Sequence, residues 1–401
     1  MFMQKCFPKE LGQHLSFMGL VGAGIFVQLC WCINYHQQRW TELIAPVEQT
    51  PVQAGEGLVI HCNGLGYYSW LRSALVDRDW SFDNEFDEHN PLGNYVPPAT
   101  YRTPLGRRAN QWSVGPACLW AVTVVPLHVF LKATGGNDSG WAPNGYSLPY
   151  QLAVAGMALF CAVGGLGCLY GVCRRFASSS RAALAAASLT LGTTIFYYNA
   201  IEISLPHGPG TAVMAGLVWY WLTSYGSCRP RRWFLLGVLL GVATLMRWQL
   251  ATFALLPAGE AALSGYHRCQ RMYGRLSCQP VIWLGLAAVG AIIAFTPQML
   301  AWRSVYGTWL PSPIRQVRYH WLAPSLWDVL FSQDRSLFYW TPLAFLALVG
   351  MLIGLVRGAT NSSGRSAVHC WKKSCAPAKD PSAVCVCTFR FSRAFHVPRG
   401  L

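Results

Sequence analysis

Acidic residues that could take part in chemistry are concentrated in one segment of the chain. Nine of the sixteen Asp and Glu residues lie between Glu42 and Glu88, and the densest part contains Asp77, Asp79 and Glu85. Carboxylates can accept a proton from a reacting group, and they can hold a hard cation such as Mg²⁺ or Mn²⁺ together with a phosphate. The spacing alone specifies no metal site, and a solvated acidic loop is the alternative interpretation.

Two side chains outside this segment are also candidates. Arg247 is flanked by apolar runs, and an arginine at the centre of a membrane helix costs at least about 2.5–3.5 kcal/mol. We therefore expect it to be paired, to bind phosphate, or to reach the membrane interface with its long side chain. His207 follows Ser204-Leu205-Pro206 on a short turn. It could bind a substrate there or be an ordinary turn residue.

The composition indicates which elements must position these residues. Of 401 residues, 53% are apolar and only 12% are charged, which excludes a soluble enzyme and a disordered chain. A net charge of +15 could suggest nucleic-acid binding, but the basic residues form short clusters between long apolar runs. This layout is typical of a multi-span membrane protein, and we expect no nucleic-acid partner.

Eight apolar runs are long enough, or nearly so, to cross a hydrocarbon layer of about 30 Å as helices. They are residues 15–34, 149–172, 182–198, 209–226, 233–246, 249–263, 280–300 and 337–356. The runs 233–246 and 249–263 are short, and we expect a hairpin that turns at Arg247. The prediction is an all-α, polytopic transmembrane protein with a large outer loop at 35–148 and a second outer loop at 301–336.

A ninth apolar stretch, 114–131, decides the orientation. Pro116 and Pro126 interrupt it. If it crossed the membrane, a basic cluster such as that at Arg174 and Arg175 would lie on the wrong side, because short basic loops tend to stay cytoplasmic. We therefore expect an interfacial helix here and both termini in the cytoplasm, in a membrane of the bacterial inner-membrane type. Residues 1–357 would form one transmembrane domain, and 358–401 a disordered cytoplasmic tail.

The outer loop is expected to contain an amphipathic helix soon after the first span. Leu65, Tyr68, Leu71 and Leu75 recur at steps of three and four residues. This period predicts a helix that lies on the membrane through its apolar face. Its polar face would direct Arg72 at whatever the loop encloses.

The order of these motifs resembles that of a known enzyme family. Asn63, Tyr67, Arg72 and Asp79 have the spacing found in the outer loop of GT-C type integral membrane glycosyltransferases, such as the aminoarabinose and protein O-mannosyl transferases. Looser similarity follows at 110–116, 204–207, Arg247 and 330–342. The resemblance therefore covers most of residues 10–356.

The resemblance implies inverting transfer of a sugar from a polyprenyl-phosphate carrier in the membrane to an outer-face acceptor, which could be a glycan, a lipid or a protein. Such transfer needs a carboxylate that takes the acceptor's proton and cations that stabilise the departing phosphate. A divalent cation is a further candidate, without defined ligands. The residues expected to contact substrate are Asn63, Tyr67, Arg72, His207 and Arg247.

The chain departs from the family pattern at Asn63, where the family carries its leading carboxylate. An amide cannot take a proton at neutral pH. Asp79 is the best substitute by its place in the motif, with Asp77 and Glu85 behind it. The alternative is a catalytically silent or truncated relative that binds lipid-linked sugar. A transporter or flippase is the third interpretation, but apart from Arg247 the predicted spans carry almost no charge for a substrate cavity.

Overall fold

The computed structural model of the protein describes residues 59–60, 63–88, 97, 99–134, 141–271, 279–311, 325–333 and 336–362. Within these ranges all regular elements are helical, which confirms the predicted all-α class. The α-helices are α1 (Asn63–Arg72), α2 (Asp83–Asp87), α3 (Gly115–Ala133), α4 (Leu148–Arg174), α5 (Ser179–Leu191), α6 (Thr194–Ala200), α7 (His207–Ser224), α8 (Pro230–Met246), α9 (Leu255–Arg271), α10 (Gln279–Tyr306), α11 (Leu326–Phe331), α12 (Leu337–Trp340) and α13 (Pro342–Ser362). A π-helical turn, Ser73–Asp77, continues α1, and a 3₁₀ helix, Trp248–Ala254, precedes α9.

Three of the described helices are long and apolar enough to cross a membrane, namely α3, α4 and α10. A shorter apolar stretch, Pro342–Gly354, lies in α13. The total of eight spans and their orientation stay predictions. So does the interfacial position of α3, whose length and composition would also allow a crossing. The first predicted span and residues 363–401 of the predicted tail lie outside the described residues.

Two breaks in the predicted membrane helices bear on the site, one inside a predicted span and one between two spans. The run 182–198 is not one helix, because α5 ends at Leu191 and α6 begins at Thr194. Gly192 and Thr193 separate them, and the Thr193 side chain accepts the N–H of Ile195 as a helix cap. The hairpin at Arg247 is confirmed as a break, since this residue is extended, with φ −149° and ψ 125°, between α8 and the 3₁₀ helix.

Helices α8 and α10 pack closely because glycines line their contact. A Cβ on Gly237 would overlap the carbonyl of Ala287, and a Cβ on Gly290 would overlap the carbonyl of Phe234. Small residues at such positions let two helix backbones approach within a membrane. The close pairing fixes the end of α8, and with it the position of Arg247.

The described part of the outer loop docks on the ends of these two helices. The Ser113 hydroxyl donates to the carbonyl of Met246 at 2.9 Å, and the backbone N–H of Val114 donates to the Gln298 side chain at 2.8 Å. Gly115 lies so close to Leu245 that a Cβ would overlap its carbonyl. Helix α1, which packs on the same segment through Trp112 and Gly66, is thereby held beside the end of α8.

The apolar face of α1 is buried against protein. Leu65, Tyr68 and Leu71 are buried, and the Tyr68 ring centroid lies 6.1 Å from that of Trp120 and 5.8 Å from that of Tyr146. The expectation that this face rests on the membrane is therefore wrong. The same helical period arises whenever one face of a helix is buried, and it does not distinguish a protein core from a bilayer.

Candidate functional site

The acidic segment that follows α1 is bound to buried arginine, first through Arg72. The Arg72 guanidinium donates to Asp77 at 2.5 Å, to Glu85 at 3.1 Å and to the carbonyl of Asn144 at 3.1 Å. Its charge also lies over the Tyr146 ring, 4.8 Å from the centroid. The predicted substrate contact Arg72 is therefore already occupied by partners within the protein.

Arg108 and Arg102 bind the rest of the segment. Arg108, whose side chain is 3% exposed, pairs with Asp87 at 2.5 Å and more distantly with Asp83 at 3.9 Å. It also donates to the carbonyl of Pro97 at 3.0 Å. Arg102 pairs with Asp83 at 2.9 Å. We call the following seven residues the acidic network: Arg72, Asp77, Asp83, Glu85, Asp87, Arg102 and Arg108.

Glu85 is the most deeply buried acid of the network, with 0% of its surface exposed. Burial raises its pKa to about 8, against the opposing charge of Arg72 and with the help of Asp77. At neutral pH most of this carboxyl holds its proton. A protonated carboxyl cannot act as a base, so the environment of Glu85 does not favour the role predicted for it.

Asp79 lies on the exposed surface beyond the π-helical turn. One of its oxygens, Oδ1, accepts the Ser73 hydroxyl at 2.8 Å and the backbone N–H of Ser81 at 3.1 Å. An aspartate that accepts local N–H and O–H groups in this way stabilises a turn. The catalytic roles of Asp79 and Asp77 stay predictions.

The opposite end of α1 meets a different set of residues. Gly64 packs so closely against the turn between α6 and α7 that a Cβ would overlap the Ser204 hydroxyl. His207 begins α7 after that turn, and its Nδ1 accepts a hydrogen bond from Arg247 at 2.8 Å. Because α1 has ten residues, about 14 Å of helix separates Asn63 from the acidic network.

Aromatic rings surround this histidine and arginine. The Tyr198 ring stacks on the His207 ring with a centroid distance of 3.8 Å and an angle of 7°. Tyr67 projects from α1 close enough to Arg247 for the arginine charge to act on its phenol, although burial dominates and raises the pKa of Tyr67 to about 12. We call the following four residues the histidine–arginine cluster: Tyr67, Tyr198, His207 and Arg247.

Among the described residues, the cluster contains one cation without an acidic partner. Burial and the Arg247 charge lower the pKa of His207 to about 4, so the imidazole is neutral at pH 7. Because arginine only donates, Nδ1 of His207 must accept and Nε2 must carry the proton. No Asp or Glu of the described residues forms an ion pair with Arg247. Such an arginine can bind a phosphate through charge-assisted hydrogen bonds.

The structure divides the residues predicted to bind substrate into two places. It brings together Tyr67, His207 and Arg247, and it leaves Arg72 in the acidic network. Asn63 begins α1 next to Gly64, which packs against Ser204. Glu202, on the turn between α6 and α7, is absent from the sequence prediction. The available signal was that Glu202 is the one charged residue in the short predicted outer turn 199–208. A search of the described residues finds no group of three or more His, Cys, Asp or Glu that could hold a metal ion.

An all-α fold with helices long and apolar enough to cross a bilayer defines an integral membrane protein. The family comparison narrows this class, because residues 150–302 match the model of the dolichyl-phosphate-mannose-protein mannosyltransferase family. This match supports a membrane glycosyltransferase of GT-C type and confirms the resemblance seen in the sequence. The matched stretch includes Tyr198, Glu202, His207 and Arg247, and it excludes the acidic network. No curated protein and no solved structure matches the chain.

Proposed function

We propose that the protein transfers a sugar from a polyprenyl-phosphate donor to an acceptor on the outer face of a membrane of the bacterial inner-membrane type, with inversion at the sugar carbon. The acceptor is a glycan, a lipid or a protein. The observation that carries the proposal is the Arg247–His207 pair within the matched stretch. The name of the matching family contains a dolichyl-phosphate-linked sugar, which agrees with a prenyl-phosphate donor.

Arg247 is the residue that binds the donor phosphate. As the bond between sugar and phosphate breaks, negative charge grows on the phosphate oxygens, and a fixed guanidinium stabilises that charge. The neutral His207 orients the guanidinium through Nδ1, and its Nε2–H provides a second donor. Tyr67 supplies a phenol that stays protonated at neutral pH, since its pKa is about 12.

A protein that binds lipid-linked sugar without transferring it is the second candidate function. Asn63 favours it, because this amide lies in the first turn of α1 at the edge of the histidine–arginine cluster and cannot accept a proton. Both candidates predict donor binding, and only the first predicts sugar transfer.

The test is transfer of radiolabelled sugar from a polyprenyl-phosphate donor in membrane vesicles that contain the protein. We expect wild type to transfer label and Arg247→Ala to reduce transfer by about 10–150-fold, because a hydrogen bond to a charged group contributes about 1.5–3 kcal/mol. Arg175→Ala is the matched control, since this arginine is exposed just after the end of α4 and donates to the carbonyl of Leu222. It should retain wild-type transfer.

The same vesicles separate the two candidate functions. Donor binding without transfer by wild type would favour the silent binder, and a gain of transfer in Asn63→Asp would then explain why. Equal transfer by wild type and Arg247→Ala would show that the phosphate site has been assigned to the wrong residue.

A further inference from the structure

We propose that Glu202 is the carboxylate that removes the proton from the acceptor. This inference rests on the proposed function and extends it to a residue that the sequence motifs do not identify. It follows from the position of the turn between α6 and α7 and from the composition of the matched stretch.

Glu202 lies on the turn that joins α1 to the histidine–arginine cluster. The backbone N–H of Leu205 donates to the carbonyl of Glu202 at 3.1 Å, which closes the turn. Ser204, two residues further on, is fully buried and packs against Gly64 beside Asn63. Two residues span at most about 7 Å of chain. The backbone of Glu202 is therefore close to Asn63, which stands at the position where the family carries its leading carboxylate.

The side chain of Glu202 is connected to the cluster through a layer of tyrosines. The Tyr197 hydroxyl donates to Oε1 of Glu202 at 3.3 Å. The Tyr197 ring meets the Tyr198 ring edge to face at 5.2 Å, and Tyr198 stacks on His207. Glu202 is partly exposed, so an acceptor from the aqueous side can reach it.

The other acids that the structure describes lie elsewhere in the fold. Those of the acidic network are paired with arginines at the far end of α1. Glu260 is paired with Arg232 at 2.7 Å, and both side chains are buried. Asp79 is held by Ser73 and Ser81. Of the described acids within residues 150–302, only Glu202 lies beside the histidine–arginine cluster.

The reaction is then a single displacement at the sugar carbon. The acceptor hydroxyl attacks the anomeric carbon, and its proton passes to a carboxylate oxygen of Glu202. The bond from that carbon to the phosphate oxygen breaks, and its electron pair stays on the polyprenyl phosphate, where Arg247 stabilises the charge. Glu202 returns its proton to water after the product leaves.

The experiment compares Glu202→Gln with wild type in two reactions of the same labelled donor. One reaction uses the ordinary hydroxyl acceptor, and the other uses azide, an anionic nucleophile that needs no base. We expect Glu202→Gln to lose transfer to the hydroxyl by about 100–10,000-fold. It should still convert the donor to the glycosyl azide and free polyprenyl phosphate.

Glu88→Gln, which changes an exposed acid of the outer loop, serves as the control and should keep hydroxyl transfer. Size-exclusion profiles in detergent check that each variant is folded. Wild-type transfer in Glu202→Gln would overturn the assignment, and so would a folded Glu202→Gln that fails with azide as well. If wild type itself transfers no sugar, the proposed function fails. If wild type transfers sugar and Glu202→Gln transfers it equally well, only the role assigned to Glu202 is wrong.

Discussion

The two ends of α1 carry opposite arrangements of charge. At its C-terminal end, Arg72 and Arg108 are buried and each meets carboxylates within the protein. At its N-terminal end, Arg247 meets a neutral imidazole and no described carboxylate. Charges that compensate one another stabilise the fold and leave little for a ligand, whereas an uncompensated cation can bind an anion. We therefore propose that the acid-rich end has a structural role and that the acid-poor end binds the ligand.

The largest effect expected at the structural end is that of Arg108→Met. Loss of this buried guanidinium removes two ion pairs and the hydrogen bonds to Pro97. We expect the free energy of unfolding to fall by about 2–3 kcal/mol, less than for a fully buried pair because Asp83 and Asp87 are partly exposed. The measurement is the thermal denaturation midpoint of the detergent-solubilised protein.

Arg102→Met is the matched control for this variant. It pairs with the same Asp83, but its side chain is 42% exposed, so its midpoint should stay close to that of wild type. Sugar transfer per folded molecule should be unchanged in both variants. A stable Arg108→Met with abolished transfer would contradict the comparison, because it would assign the acid-rich end to the site.

Part of this architecture is predictable from sequence. Long apolar runs predict an all-α membrane protein because no other element satisfies its backbone within a bilayer. The break at Arg247 is predictable because a charged residue between two short apolar runs is costly inside a membrane helix. The break between α5 and α6 requires only Gly192 and Thr193. Small residues of this kind also occur inside unbroken membrane helices, so the sequence alone does not reveal the break.

The site was harder to predict because ion pairing is a property of three dimensions. Glu85 and Asp79 look alike in the sequence, yet one is fully buried beside Arg72 and the other is exposed. The high density of acids therefore led the sequence prediction to choose catalytic candidates at the C-terminal end of α1. Glu202 forms no pattern with other acids, and its position becomes informative only when Ser204 is seen to pack against Gly64.

A second, smaller effect at the structural end concerns pH. The folded-state pKa of Glu85, about 8, is above its ordinary value of 4.5, so the folded protein binds this proton more tightly than the unfolded chain. The stability that results is complete below about pH 4.5 and is lost as pH rises through about 8. The slope is at most about 1.4 kcal/mol per pH unit. Glu85→Gln, which cannot ionise, should remove this slope.

The measurement is the denaturation midpoint of wild type and of Glu85→Gln, taken from pH 5 to pH 9 in steps of about one pH unit. Glu88→Gln, in the same segment but exposed, should keep the wild-type slope. A wild-type stability that stays level over this window, like that of Glu85→Gln, would show that Glu85 is ionised in the folded protein. Glu85 could then accept a proton and act as a base.

The smallest effect tests the other end of α1, through the ring of Tyr198. Tyr198→Leu removes the stack on His207, which is worth about 0.5–1.5 kcal/mol, and should raise the donor KM by about 2–10-fold. Tyr198→Phe keeps the ring and should behave like wild type, with both variants retaining the wild-type denaturation midpoint. An equal loss in both would assign the effect to the hydroxyl, and no loss in either would mean that the stack does not orient the histidine. The predicted pattern is a change in transfer without a change in stability. It is the reverse of that expected for Arg108→Met, since we propose that His207 and Arg247 bind a ligand, whereas Arg108 binds carboxylates of the protein itself.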